Sequence, residues 1–195
     1  MTQNLSRLSH WQQIAFSAAL IERMLPNLVM FHEITEFGEP KLLRNQLDLV
    51  WQWLDKNQSC KINYNAQLTK LEPLIPDPEQ FDNFGVFPAI DVTMAMISLL
   101  QGMQDKELEH FENVAYLSKN SVNFYCELEI SEDNELEDQA LQQAIDEHPL
   151  MQWENDTQQQ LFSFISSAQE TKQSCVQAKQ LVLEEGMSNL GIEIG

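Results

Sequence analysis

The chain has 195 residues, of which 43% are hydrophobic and 21% charged, a composition typical of a globular domain with one sizeable core. Thirty acidic against eleven basic side chains give a formal net charge of −19, which excludes nucleic acid as an expected partner because phosphate binding needs clustered Lys and Arg. Residues 1–100 carry a net charge of −4 and residues 101–195 carry −15, so any electrostatic attraction is to basic proteins, polyamines or cations.

The cysteines and the N-terminus indicate a reducing compartment. Cys60, Cys126 and Cys175 are far apart, odd in number and without a CxxC pair, so we expect neither a disulfide framework nor a zinc knuckle. The N-terminus lacks the basic-then-apolar profile of a signal peptide, and polar side chains interrupt the most apolar stretch, residues 86–100. We therefore expect a cytoplasmic protein with no membrane contact and no membrane span.

Apolar residues that recur every three or four positions predict two helices in the first quarter of the chain. Ser6 is the expected N-cap of the first helix. Pro26 should stop or kink it near Met24, because proline cannot donate to the helical ladder, and the helix should restart over residues 27–36. A Gly and a Pro then separate it from a helix over residues 41–56, whose buried face should include Leu43, Leu47, Val50 and Leu54, with Trp51 beside them.

The middle of the chain contains the most apolar predicted helix. Residues 57–64 are the only segment expected to be extended, and residues 77–80 resemble a capping box that begins a helix. Residues 88–103 leave little polar face, and a helix that is apolar nearly all round belongs at the centre of a bundle.

Three more helices are predicted in the acidic half of the chain. They are residues 105–130, capped by Asp105, residues 134–149, capped by Asn134 and ending at Pro149, and residues 150–185, closed by Gly186. The last has an inner seam with near-heptad spacing that passes through Ala168 and Thr171. We thus expect one all-α domain over residues 1–195, a multi-helix bundle of seven or eight helices with a short extended C-terminal tail from Ser188.

Three stretches of the chain resemble a known family. They are Glu22 to Asn27 followed by Phe31, the run Phe-Gly-Val-Phe-Pro-Ala-Ile-Asp from Phe84 to Asp91, and Ser188 to Ile192. Together they are similar to the YjaG-like family of uncharacterised bacterial proteins, a helical domain of unknown function. The resemblance implies a cytoplasmic all-helical fold and supplies no activity, cofactor or catalytic residue.

Patterns that would carry enzyme chemistry are weak. Glu107 and His110 form one Glu-x-x-His pair, whereas a di-iron bundle needs two, and no other histidine has a Glu three positions before it. The sequence has no Gly-x-Ser-x-Gly elbow and no Gly-rich phosphate loop. Cys126 and Cys175 lie near apolar helical seams, which favours buried structural thiols over nucleophiles. We expect no catalysis, no metal and no cofactor.

One polar cluster allows two interpretations. Asp91 lies in the first turn of the predicted central helix, where a buried carboxylate needs donors or a cation, and Arg23 is an available partner. Asp91 is then either a ligand-binding or acid–base group held by Arg23 or Asn27, or a structural carboxylate tied to Arg23, and the second interpretation is favoured. Glu22 completes this candidate cluster.

An acidic run also allows two interpretations. Residues 127–138 contain seven Asp and Glu side chains. In the first interpretation they form a docking surface for a basic protein, or even a DNA-mimicking face. In the second they form a solvated turn, and the last acids stabilise the N-terminus of the following helix. The second interpretation is favoured.

Two functions follow from these observations. The first is an acidic helical protein that acts through protein–protein contacts, either with a basic partner or as a homodimer through an apolar face for which Met30, Phe31 and Trp53 are the candidates. The second is a small-molecule or enzymatic site around Glu22, Arg23, Asn27 and Asp91. Mutual pairing of these four groups in a closed core would favour architecture, and a shared pocket would favour a site.

Overall fold

A computed structural model of the chain describes residues 3–56, 59–133 and 136–194, with the backbone alone at positions 132 and 133. Over these ranges the chain forms eight α-helices, three 3-10 turns and no β-strand, which confirms the predicted all-α fold. The helices are α1 (His10–Thr35), α2 (Pro40–Leu54), α3 (Tyr64–Leu71), α4 (Val86–Asp105), α5 (Leu108–Asp133), α6 (Asp138–Glu147), α7 (Pro149–Ser167) and α8 (Lys172–Val182).

Helices α1 and α4 form the centre of the bundle. They pack on each other, α4 also packs on α5 and α3, and α1 also contacts α2, α5, α7 and α8. Both are long and apolar enough to cross a membrane by length and composition alone. In this fold, however, 83% and 78% of their most apolar windows are buried, as expected of core helices, so their apolarity does not indicate a membrane protein.

The beginning and the middle of α1 differ from the prediction. Ser9 caps the helix, and its side chain and that of Gln12 each bond the backbone N–H of the other. Ser6 lies in the preceding 3-10 turn, so its assignment as the cap was wrong. Pro26 does not end α1, because Met24 and Leu28 on either side are buried in the core and tertiary packing outweighs the lost helical bond.

Helix α2 confirms its predicted core face, and the next two segments depart from prediction. Its Leu43, Leu47, Val50, Trp51 and Leu54 are buried. Residues 59–63 have no regular structure, and positions 57 and 58 lie outside the described ranges. The capping box at residues 77–80 produces only a 3-10 turn, because the chain is already extended at the following residue.

Helices α5 and α6 follow the predicted order. Asp105 ends α4 instead of beginning α5, although its side chain accepts the Glu107 N–H at 2.9 Å. Helix α5 extends to Asp133, three residues beyond the prediction, and the expected cap Asn134 lies outside the described residues.

The prediction of one long helix over residues 150–185 is wrong, because the helix is interrupted between α7 and α8. The hydroxyls of Ser166 and Ser167 donate to carbonyls three and four positions earlier and compete with the helical ladder. Thr171 then caps α8 by accepting the Ser174 N–H at 3.2 Å. Ala168 and Thr171 therefore lie in the link between two helices and not in a continuous seam.

The C-terminal tail folds back as a tight turn. The Ser188 N–H donates to the Ile192 carbonyl at 2.8 Å, and the Ile194 N–H donates to the Gly186 carbonyl at 2.9 Å. Gly191 has φ +76°, a conformation that other residues rarely adopt, so it allows the turn. Ser188 and Asn189 are fully buried, so the predicted docked tail is present, as a turn and not as an extended segment.

Candidate functional site

The three stretches that carry the family resemblance meet at one small cavity. Its volume is about 100 Å³. Its walls come from all three stretches and from α5, and they are Asn27, Met30, Phe84, Gly85, Pro88, Tyr125, Leu190 and Ile192. A side chain at Gly85 would place its Cβ 3.0 Å from Asn83 Oδ1 and 3.5 Å from the Phe31 ring, so it would fit only if the Asn83 side chain shifted by a few tenths of an ångström.

A buried ion pair lies deeper in the same region. Arg23 Nη1 donates to Glu154 Oε2, and both side chains are inaccessible to solvent. Glu154 Oε1 accepts hydrogen bonds from Ser118 Oγ at 2.6 Å and Gln158 Nε2 at 2.7 Å. The guanidinium group lies 4.0 Å from the centroid of the Trp153 ring. Burial lowers the pKa of Arg23, and the charge of Glu154 opposes that shift.

Asn27 joins the tail to α5 through a second buried residue. Asn189 Nδ2 donates to the Ser118 carbonyl at 2.8 Å, and Asn27 Nδ2 donates to Asn189 Oδ1 at 2.8 Å. The Ser118 carbonyl can only accept, so it fixes the orientation of Asn189, which in turn fixes that of Asn27. Asn27 Oδ1 therefore points away from Asn189, and it accepts no hydrogen bond from any described residue.

Asp91 does not pair with Arg23, so the predicted pair was wrong. Asn120 Nδ2 donates to both Asp91 oxygens at 3.1 and 3.2 Å, and Ser121 Oγ donates at 2.7 Å. The residue is 4% exposed. Burial raises the pKa of Asp91 to about 6, and the bonds from Ser121 and Asn120 only partly oppose that shift. Helix α5 thus supplies the donors for Asp91, while α7 supplies the carboxylate for Arg23.

Glu22 belongs to a third environment. Arg44 donates to its two oxygens at 2.5 and 2.8 Å, Trp51 Nε1 donates at 2.6 Å, and Lys179 Nζ lies 3.2 Å away. Burial raises the pKa of Glu22, but Arg44 and Lys179 outweigh burial, so the pKa lies below its ordinary value. The four residues of the predicted cluster therefore have separate partners. Only Arg23 and Asn27 connect to a common residue, Ser118, which bonds Glu154 on one side and Asn189 on the other.

Sequence reasoning missed the partners of these residues. On α7, Met151, Glu154, Gln158, Leu161 and Ile165 are all buried and are spaced by three or four positions. A carboxylate and an amide at inward positions of an otherwise apolar stripe were a usable signal for a buried polar network.

A groove of about 660 Å³ lies between α1, α2 and the tail. Glu22 and Arg44 line it together with apolar side chains of α1 and the tail. Pro26 also lines this groove. Because proline has no N–H, the Glu22 carbonyl lacks the helical hydrogen bond that position 26 would otherwise donate.

The apolar face of α1 beside this groove differs from the predicted one. Val29, Met30 and Ile34 are exposed, whereas Phe31 is fully buried and Trp53 packs half-buried against the core. Phe31 and Trp53 are therefore not candidates for the interface. Self-association stays a prediction, now resting on Val29, Met30 and Ile34.

A second surface, here named the α4–α5 surface, consists of Phe87, Asp91, Asn120 and Phe124. The rings of Phe87 and Phe124 stack at 5.4 Å between centroids and are 38% and 39% exposed. Asp91 follows Phe87 by four residues on α4, and Asn120 precedes Phe124 by four residues on α5. Asp91 and Asn120 therefore lie one helical turn from the stacked rings, along the contact between these two antiparallel helices. The surface thus combines exposed aromatic area with a buried carboxylate that has no cation among its hydrogen-bond partners.

Beside the acidic run, the thiol of one residue contacts an imidazole, and that imidazole contacts a carboxylate. Cys126 Sγ lies 3.2 Å from His148 Nδ1, and His148 Nε2 lies 3.3 Å from Glu129 Oε2. This order resembles that of cysteine hydrolases, but the Leu150 N–H also donates to His148 Nδ1 at 3.2 Å, and Cys126 is fully buried. His148 therefore caps α7, and the arrangement is structural.

We expect iodoacetamide to modify Cys60 in the native protein and to leave Cys126 and Cys175 unmodified. Burial raises the pKa of the Cys126 and Cys175 thiols to about 11, so at pH near 8 only about 0.1% of either would be thiolate. Peptide mapping by mass spectrometry measures the modification, and the denatured protein, in which all three should react, is the control. Modification of native Cys126 as fast as Cys60 would instead identify a nucleophile.

The predicted Glu107 and His110 pair is also accounted for without metal. His110 Nε2 lies 2.9 Å from Asp105 Oδ2, and Glu107 contributes its backbone N–H to the same Asp105 side chain. Within the described part of the chain no group of three or more His, Cys, Asp or Glu side chains has a geometry suited to a metal ion.

Residues 1–193 match the family model described as protein of unknown function (DUF416). The uncharacterised protein YjaG of Escherichia coli is 36% identical over 191 residues, which cover 96% of this chain and 93% of that protein. An uncharacterised protein of Haemophilus influenzae is 34% identical over 194 residues, covering 98% and 95% of the two chains.

The likeness extends to the whole fold. The crystal structure of a DUF416 family protein from Shewanella baltica is similar with a TM-score of 0.87 and 34% sequence identity, and the match covers both chains completely. The resemblance inferred from the three stretches is thereby confirmed, and the chain belongs to the DUF416 family, whose function is unknown.

Proposed function

We propose that this protein acts without catalysis, by holding a basic segment of a partner protein on the α4–α5 surface. The observation that carries the proposal is Asp91, a buried carboxylate that, among the described residues, is hydrogen-bonded by one amide and one hydroxyl and lies beside two exposed stacked phenylalanines. The experiment that tests it is the binding of defined basic peptides.

The first supporting argument is the energetic cost of Asp91. A buried carboxylate without a cation destabilises the folded protein when it is ionised. A lysine or arginine side chain of a partner would neutralise this carboxylate. Half-buried Asn120 now donates to both of its oxygens, in the position that an ammonium or guanidinium group would take.

The second argument is the aromatic pair. Phe87 and Phe124 expose ring faces and edges that attract both the charged head and the aliphatic stem of a basic side chain. Leu128, 46% exposed one turn beyond Phe124, extends the apolar area along α5.

The third argument is the charge of the whole chain. A net charge of −19, most of it in residues 101–195, steers basic partners toward the protein and repels acidic ones. The acidic run at residues 127–138 follows Phe124 along the chain, so in this proposal it adds long-range attraction and not the contact itself.

We expect an octapeptide of alternating Lys and Leu to bind the protein and to shift the NMR resonances of Phe87, Asp91, Asn120 and Phe124. A peptide of alternating Glu and Leu should fail because of its charge, and one of alternating Lys and Ser should bind more weakly because it lacks apolar side chains. The double variant Phe87→Ser/Phe124→Ser and the variant Asp91→Asn should each weaken binding about tenfold, which is ~1.4 kcal/mol.

Two matched controls separate this surface from general attraction. Tyr116→Ser removes a more exposed aromatic side chain of α5, and Glu112→Gln removes an exposed acid of the same helix. Both should change the affinity by less than about twofold. If Glu112→Gln weakens binding as much as Asp91→Asn, the attraction is unspecific and the proposed surface is wrong.

A further inference from the structure

We propose that the segment held on the α4–α5 surface is an amphipathic α-helix whose basic residue binds Asp91 and whose apolar residue, four positions away, packs on the rings of Phe87 and Phe124. This inference rests on the proposed function, because it concerns the same surface. It adds the secondary structure of the partner segment and the spacing of the two side chains that the segment must present.

The α4–α5 surface offers side chains to a partner and no free backbone groups at its four residues. Asp91, Asn120 and Phe124 lie inside helices, where N–H and C=O groups bond each other four positions apart. Phe87 lies in the first turn of α4, but its N–H donates to the Phe84 carbonyl at 3.1 Å. A partner therefore finds no hydrogen-bonding backbone here.

This lack of free backbone groups disfavours an extended partner. A strand laid on the surface would bury part of its own N–H and C=O groups without partners, which costs free energy. Strand addition needs a sheet edge, and the described ranges of this chain form no β-strand. A helix satisfies its backbone internally, so it can bury an apolar face against α4 and α5 without that loss.

The two helices also set the spacing of the partner's side chains. Phe87 and Phe124 are each four residues from Asp91 or Asn120, so the ring stack lies about 6 Å along the helices from the carboxylate. Positions i and i+4 of a partner helix are likewise about 6 Å apart and lie on one face. Positions i and i+2 share a face on a strand but point to opposite sides of a helix. The preferred spacing of the basic and apolar residues therefore reports the conformation of the partner.

A basic side chain reaches Asp91 by displacing the amide of Asn120. The carboxylate is 4% exposed, and both of its oxygens accept from the half-buried Asn120 side chain. Rotation of this amide toward solvent leaves room for the head of a lysine or arginine, whose aliphatic stem then lies on the rings. We expect Asn120→Ala to bind a basic helix more tightly than the wild type does, because the side chain to be displaced is absent.

Two 15-residue peptides of identical composition test the inference. Both carry one central Lys, two Leu and a background of Ala and Gln. The Leu residues lie four positions before and after Lys in the helix-spaced peptide and two positions before and after it in the strand-spaced peptide, so either chain direction is allowed. We expect the helix-spaced peptide to bind at least about tenfold more tightly, because only it presents Lys and Leu on one helical face. Calorimetric titration measures both affinities, and circular dichroism checks that the free peptides are equally helical.

Two controls attribute the difference to the helical contact. The double variant Phe87→Ser/Phe124→Ser should bind the two peptides with nearly equal affinity, whereas Glu112→Gln, which changes an exposed acid of α5, should keep the difference. Proline in place of the residue that follows Lys breaks the helix of the helix-spaced peptide and should remove most of its advantage.

The outcomes separate the helical partner from the docking function. Equal or tighter binding of the strand-spaced peptide would overturn the helical partner, and the docking function would still stand if Asp91→Asn weakens both peptides. If neither peptide binds and the alternating Lys and Leu octapeptide also fails, the docking function is wrong and the helical partner with it. Weaker binding by Asn120→Ala would show that the amide holds the ligand, which would overturn the displacement that the inference requires.

Discussion

Replacing Arg23 by methionine is expected to cost about 3–5 kcal/mol of the free energy of unfolding, because the variant leaves the Glu154 carboxylate buried without its cation. Glu154→Gln should cost a similar amount, since an amide NH₂ would then face the guanidinium group of Arg23. Losses of this size lower the melting temperature by on the order of 10 °C in a chain of this length.

The double variant Arg23→Met/Glu154→Gln should recover much of the loss. It contains no buried charge at this position, and the amide introduced in place of the Glu154 carboxylate would keep an oxygen to accept the bonds from Ser118 and Gln158. Denaturant unfolding of the wild type, both single variants and the double variant gives the coupling energy.

The pair predicted from the sequence, Arg23 and Asp91, provides the control for this comparison of single and double variants. Arg23 and Asp91 have different partners, so Arg23→Met and Asp91→Asn should show much less coupling than Arg23 and Glu154. Additive losses for Arg23 with Glu154, or a strong coupling of Arg23 with Asp91, would contradict these hydrogen-bond partners.

The helices were predictable because their signals are local. The spacing of apolar residues predicted α2 and its buried face, and the composition of residues 88–103 predicted a central helix, which the structure has over residues 86–105. The errors arise where tertiary contacts outweigh a local rule, or where one local signal outweighs another. Packing on both sides of Pro26 keeps α1 continuous, whereas serine hydroxyls and the Thr171 cap break a helix that its seam alone would continue.

The candidate site was only partly predictable, because side-chain partners depend on which helices touch. The sequence identified Arg23, Asn27 and Asp91 as polar groups in apolar helices, and all three are buried. It paired Arg23 with Asp91 because both stood out, but Glu154 lies 131 positions after Arg23 on a helix whose packing no local pattern reveals. A charged residue on an apolar stripe indicates that a partner exists, not which one.

The first family stretch, Glu22 to Asn27, contributes both to the cavity and to the buried ion pair. The three family stretches meet around Asn27 and the cavity, while Arg23 and Glu154 form an ion pair sealed in the core. Within the ion pair each charge compensates the other, although Arg23 Nε and Nη2 have no hydrogen-bond partner among the described residues. Asp91 is not balanced in this way, because among its hydrogen-bond partners no cation compensates its burial.

Replacing Asp91 by asparagine is therefore expected to stabilise the protein above neutral pH. The pKa of Asp91 is raised from 3.8 to about 6, chiefly by burial, so the folded protein binds this proton more tightly than the unfolded chain. The favourable contribution is complete below about pH 3.8 and is lost as the pH rises through about 6, a loss of ~3 kcal/mol by pH 8. Asp91→Asn should raise the free energy of unfolding at about pH 8 by up to that amount and remove this part of the pH dependence.

The measurement is the difference between variant and wild type at several pH values from about 4 to 8, because a chain of charge −19 also loses stability through general repulsion as the pH rises. Asp156→Asn, which removes an exposed carboxylate from α7, controls for that repulsion and should change stability by less than ~0.5 kcal/mol. A less stable Asp91→Asn protein at pH 8 would show that the carboxylate serves the architecture. A more stable protein that has also lost affinity for the Lys and Leu peptide would show that Asp91 sacrifices stability for binding, as expected of a functional residue.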